Sequence, residues 1–155
     1  MLVFDGHNDL LSRLWQAQGD PVARFQSDEG HVNEKACAKG GFAGGFFAIY
    51  CPEKRAPTGD IFDEDGLTFV PLPDPLDPGW ALRAAIGQAG IAHDLQSAGH
   101  VRIVTNAQDL AQSFVGDALA CVLHLEGADP IDPDLLALET LYACLLYTSP
   151  SPRDS

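Results

Sequence analysis

Basic residues are scarce in this 155-residue chain: nine Lys and Arg stand against 22 Asp and Glu, a formal net charge of −13. Nucleic acid and anionic membrane surfaces both require a basic face, so neither is an expected partner. Cysteine is thin as well. Cys37, Cys51, Cys121 and Cys144 are widely spaced with no C-x-x-C pair, which argues against a disulfide framework or a structural zinc site and for buried, reduced thiols. No run of about 18 apolar residues is present to cross a bilayer. The opening MLVFDGHNDLL has no positively charged leader and no apolar run of signal-peptide length, so a cytoplasmic location is expected. There is no G-x-x-x-x-G-K-[ST] phosphate loop, and the glycines at 40, 41, 44 and 45 precede a strand, the wrong context for a dinucleotide site. Ser12 and Ser27 have no nucleophile-elbow setting. The acidic DIFDEDG at 60–66 is not an EF-hand loop, which would need an acid at Ile61 and a Glu at Leu72.

What is present is a globular composition, 46% apolar, with strands and helices in alternation. Leu2, Val3 and Phe4 form a short apolar run suited to a buried strand that ends at Asp5-Gly6. Leu10 to Gln18 has helical apolar spacing, and Gln18 to Gly30 is a polar stretch. Phe46 to Cys51 is a second buried strand, stopped by Pro52. Residues 52–79, rich in proline and acid, read as a long loop. Trp80 to Ala98 predicts a helix with Leu82, Ala85, Ile86, Ala89, Ile91 and Leu95 available to pack. Val101 to Val104 suggests a short strand, with Thr105 as the N-cap of a helix to about Phe114. Ala118 to Leu125 is a third strong strand, and Asp132 or Asp134 caps a last helix. This order predicts an α/β fold with a parallel sheet, whose chemistry sits at the carboxyl ends of the strands.

Two strand ends carry candidate chemistry. In D-G-H-N-D, an extended backbone puts His7 and Asp9 on one side, an imidazole nitrogen and a carboxylate suited to a divalent ion. In H-L-E-G-A-D, strand parity puts Val122, His124 and Glu126 on one face and Leu123 and Leu125 on the other. A carboxylate at that strand end can bridge two cations. His31, His93 and His100 fall in a polar stretch or in and after a helix, and His124 reads as a hydrogen-bonded interior residue.

The strings FDGHNDL, GHVNEKACAKGGFAGGFFAIYCPE and VLHLEGADPI, in this order and at this spacing, resemble the membrane (renal) dipeptidase family over nearly all of residues 2–143. The resemblance implies the amino-terminal part of a (β/α)8 metal-dependent hydrolase barrel, truncated here, with two zinc ions at its mouth. It implies that His7 and Asp9 bind one zinc and that Glu126 bridges both as the catalytic carboxylate. It implies a dipeptide substrate, and admits a homodimer in the complete enzyme. Further histidine ligands and substrate-binding residues of that family have no counterpart in this chain, so the polypeptide as written is expected to be inactive and aggregation-prone through an unpaired strand edge. A different barrel metallohydrolase, such as a phosphoesterase or lactonase, and a non-catalytic barrel protein remain as alternatives.

The closing CLLYTSPSPRDS breaks from the apolar segment Leu135 to Ala143 with no helix-stop logic. Cys144 to Asp154 can be written in one reading frame as DNA that resembles a transposase adapter used for sequencing libraries. Residues 1–143 are therefore expected to form the partial barrel domain, and 144–155 a non-native tail to be set aside in reading the fold.

Overall fold

A computed structural model of the chain describes residues 1–52, 61–62, 68–69 and 75–144. Strand β1 (Val3–Asn8) leads into helix α1 (Leu10–Ala17), followed by two short helices, α2 (Pro21–Gln26) and α3 (Glu34–Gly40). Strand β2 (Phe42–Tyr50) comes next, then a two-residue antiparallel pair, β3 (Ile61–Phe62) and β4 (Thr68–Phe69). The long helix α4 (Pro78–Ser97), strand β5 (Val101–Ile103), helix α5 (Ala107–Ser113), strand β6 (Leu119–Glu126) and helix α6 (Leu136–Cys144) complete the order. The main sheet has the order β1-β2-β6-β5, parallel at every pairing. The parallel α/β prediction is met, and β6 adds directly to β2 over seven residue pairs, from Gly44↔Ala120 to Tyr50↔Glu126. Most of the proline-rich 52–79 loop lies outside the described residues.

The core lies on one side of the sheet. Leu10, Leu11 and Leu14 of α1, Phe25 of α2 and Ala85, Ala89, Ala92 and Leu95 of α4 pack on Phe47 and Ile49 of β2 and Cys121 and Leu123 of β6. The alternating face of β6 follows the expected parity: the core takes 121 and 123, while Glu126 ends the strand exposed. Gly44 has φ +149°, and a Cβ there would lie 2.6 Å from the Ala120 Cβ and 2.7 Å from its nitrogen, so β2 and β6 approach closely only because a side chain is missing.

Several expectations need correction. Strand β1 does not end at Asp5-Gly6 but runs to Asn8, and Val3 and Phe4 are exposed; Phe4 lies against Phe46 of the interior strand β2, which is exposed as well. Ile86 is 53% exposed, since α4 turns Ala81, Ala84, Ala85 and Gln88 inward instead. The N-cap of α5 is Asn106, whose side chain accepts from the Asp109 N–H; Thr105 instead bonds the Asp109 carboxylate. The polar 18–30 stretch contains α2, started by Asp20, which accepts from the Val22 and Ala23 amides, and by Pro21 in the first turn. Asn33 caps α3 in the same way, accepting from the Ala36 N–H.

Candidate metal centre

His7, Asp9 and Glu126 come from two strand ends that are not neighbours. Strand β2 lies between β1 and β6, so their backbones are about 9–10 Å apart. Side chains nevertheless meet above β2: the His7 Nε2 is 3.5 Å from Asp9 Oδ1 and 3.5 Å from Glu126 Oε2. One ligand atom from each of the three residues lies within 4.8 Å of the others.

A break in register helps to aim them. Between Asp5↔Gly45 and Asn8↔Phe47 three steps along β1 match two along β2, a bulge that resets which side chains face the open side of the sheet. Asp9 stands outside the strand, at the N-cap position of α1, with φ −101°, ψ 25° and no side-chain capping bond. The pairing of His7 with Asp9 thus comes from a strand-to-helix turn rather than from the strand parity that the sequence suggested. The neighbouring Asn8 takes over the cap. It is buried, its Oδ1 accepts from the Leu10 N–H, and its Nδ2 donates to the Phe46 carbonyl. That leaves the Asp9 carboxylate free to turn toward His7.

An imidazole nitrogen and two carboxylate oxygens that converge in this way form a donor set for a cation. Tetrahedral ligands at about 2.0–2.1 Å from a zinc ion stand about 3.3 Å from each other; the two separations from His7, 3.5 Å each, are close to that, and all three ligand atoms lie within 4.8 Å of one another. One imidazole and two carboxylates therefore fit a divalent ion of the zinc type. Beside the cluster opens a cleft of about 470 Å³ lined by Asp9, Ser12, Arg13, Gln16, Tyr50 and Glu126. Sequence reasoning missed Asn8, Arg13 and Tyr50, because nothing in the local pattern says which polar residues of α1 and β2 will face one cleft.

The mouth of β2 is fixed by a residue of α4. Gln88 is fully buried, its Oε1 accepts from the Tyr50 N–H at 3.1 Å, and its Nε2 donates to the Tyr50 carbonyl at 2.6 Å. A side-chain amide thus replaces a strand neighbour at the position paired with Glu126.

The other histidines stay apart from the cluster. His31 and His93 are exposed, and His100 pairs with Glu34 at 3.3 Å. His124 lies below Glu126, its ring 5.4 Å from that of His7 and 6.0 Å from that of Phe46. Contrary to the expectation of a hydrogen-bonded interior residue, its buried Nε2 has no partner among the described residues. Cys37, Cys51 and Cys121 are buried free thiols. Burial, aided by the charge of Asp129, pushes Cys51 up to about 11, and burial pushes Cys121 up further, which keeps them protonated and unsuited to ligation or attack.

Parallel strands backed by helices, with candidate metal ligands at their carboxyl ends, place the chain among α/β proteins whose sites lie at that end of the sheet. The chain belongs to the membrane dipeptidase family: the family described as Membrane dipeptidase (Peptidase family M19) matches residues 1–146. A protein of Acinetobacter calcoaceticus, described as an uncharacterized protein in the PQQ-III 3′ region, is 35% identical, over 86% of this chain and 44% of that one. A solved metallopeptidase of Rhodobacter sphaeroides, liganded with a phosphinate mimic of the dipeptide L-Ala-D-Ala, is 29% identical with a TM-score of 0.75, over 94% of this chain and 44% of that one. A second solved metallopeptidase, dipeptidase AC, is 30% identical with a TM-score of 0.72, over 92% of this chain and 42% of that one. The chain thus spans less than half the length of these relatives, and its sheet is part of a (β/α)8 barrel.

Proposed function

We propose that the protein to which these residues belong hydrolyses dipeptides at a metal centre whose first ligands are His7, Asp9 and Glu126. The observation that carries this reading is the convergence of the three ligand atoms within 4.8 Å beside an open cleft. Membership of the dipeptidase family, and the dipeptide mimic bound by the Rhodobacter relative, support the substrate class. A divalent ion held there supplies Lewis acidity, making a water more acidic and polarising the peptide carbonyl. The residues do the rest. His7 and Asp9 would hold the ion against the end of β1. Glu126 would complete these ligands and, in the binuclear zinc centre we propose, would be shared with a second ion. The cleft beside α1 is large enough to admit a dipeptide-sized molecule.

The same proposal takes residues 1–143 as native and 144–155 as adapter-derived. Resequencing the source DNA across the Ala143 codon with a different library chemistry tests this: the frame should continue into further β/α units with two strand-end histidines. In the complete protein, His7→Ala and Glu126→Gln should each lower Ala-Ala hydrolysis and zinc affinity at least about 100-fold, beyond the range seen for residues that only support a ligand. Unchanged turnover and zinc content, measured by elemental analysis of the purified variants, would sink the site assignment.

A further inference from the structure

The cleft beside the metal centre contains one cation, and its setting is unlike that of the others. Among the described residues, Arg24 pairs with Glu29 at 3.2 Å, Lys35 with Asp28 at 2.8 Å and Arg102 with Asp109 at 3.4 Å. Lys39 and Arg83 are exposed to water. Arg13 is half-buried and has no carboxylate partner among the described residues; its one hydrogen bond is donated from Nη2 to the Val32 carbonyl at 2.9 Å. In a chain with 22 acidic residues, this half-buried guanidinium shares a cleft with Asp9 and Glu126 and yet is in direct contact with neither carboxylate.

Its position gives the reason. Arg13 follows Asp9 by four residues, so both lie on the same side of the first turns of α1, and both line the cleft with Glu126. Gly30, at φ +74°, lies against the guanidinium: a Cβ there would come within 2.8–3.0 Å of its Cζ, Nε and Nη1. The loop before α3 therefore holds the head group in place through close packing and the Val32 carbonyl. One of about five N–H donors is accounted for, and the rest form a planar fork of the kind that binds a carboxylate.

We propose that Arg13 receives a carboxylate of the substrate and so gives the enzyme a preference for dipeptides that present one in this part of the cleft. The inference rests on the dipeptidase reading of the site. Two carboxylates have the same chemistry, the side chain of an Asp or Glu residue and the free carboxyl terminus, and the test separates them.

The test compares kcat/KM of the complete, zinc-loaded protein on matched pairs, Glu-Ala against Gln-Ala, Ala-Glu against Ala-Gln, and Ala-Ala against its carboxyl-terminal amide. Each acid-to-amide ratio is independent of the fraction of folded enzyme. Arg13→Met should lower at least one ratio about tenfold or more, the scale of a lost charge-assisted hydrogen bond, with the change in KM rather than kcat. Arg13→Lys should restore part of it. A fall confined to the side-chain pairs identifies an acidic dipeptide as the ligand, and one confined to the terminal pair identifies the carboxyl terminus. Ratios that stay as in the wild type, whatever happens to the absolute rates, overturn the inference and leave Arg13 as a prop for the 30–32 loop. A wild-type enzyme that cleaves none of these compounds overturns the dipeptidase reading, and this inference with it.

Discussion

At the residue scale, the site depends on a division of labour within three consecutive positions. His7 and Asp9 point toward Glu126, while Asn8 turns inward and makes the bonds that a helix start and a strand end need. Replacing Asn8 by Ala leaves the Phe46 carbonyl and the Leu10 amide without their partner in a buried place, at a cost of about 1–3 kcal/mol. It also frees the turn that aims His7 and Asp9, so zinc affinity should fall about 10–100-fold, as for other groups that support a ligand. Urea unfolding and a competitive zinc titration on Asn8→Ala check both parts. Lost stability with unaltered zinc affinity would confine Asn8 to folding. Sequence pattern made His7, Asp9 and Glu126 candidates, because imidazole and carboxylate at strand ends are conspicuous, and the resemblance to the dipeptidase family joined them into one set. It gave no reason to single out Asn8, since the role of an amide depends on what lies across from it.

Elements explain how β2 can stand between the two strands that carry the candidate ligands and still let those side chains meet. Strand β2 contributes Gly44 for close approach to β6, and its end is clamped by Gln88 of α4. Gln88→Leu removes both bonds to the Tyr50 backbone and leaves a part-buried N–H and C=O unpaired, so the complete protein should lose about 1–3 kcal/mol in denaturant unfolding. A loss under about 1 kcal/mol would mean that the end of β2 is held by other means. A helix signal was clear for α1 and α4, whose apolar residues recur over several turns. The six-residue α2 and seven-residue α3 are too short for periodicity to emerge. What they do have is caps, Asp20 before Pro21, and Asn33 with Glu34 in the first turn, which the sequence reading did not pick out.

For the molecule as a whole, the described sheet has two edges, β1 and β5, and α1, α2 and α4 pack on one face. Phe4 and Phe46 meet edge to face on the other side, at 36% and 41% exposure, beside the buried unpaired nitrogen of His124. Phe114 lies against Phe4 there, also 37% exposed. An apolar open face together with a free strand edge favours self-association. Produced alone, the 155-residue chain should elute from size exclusion well ahead of a monomer and show no dipeptide hydrolysis. A monodisperse monomer with turnover would contradict this.

Composition and local order were enough to fix the parallel α/β class, the long helix and the residue types at the strand ends, because these follow from apolar periodicity and from chemistry confined to a few consecutive residues. Strand order was not open to such reasoning. That β6 rather than β5 pairs with β2 depends on a close approach at Gly44 and Ala120, positions 76 residues apart. The same holds for the turn that pairs Asp9 with His7, the clamp by Gln88 and the placing of Arg13 in the cleft. Each rests on hydrogen bonds or packing between segments distant in the chain, and such contacts exist only once the elements have docked.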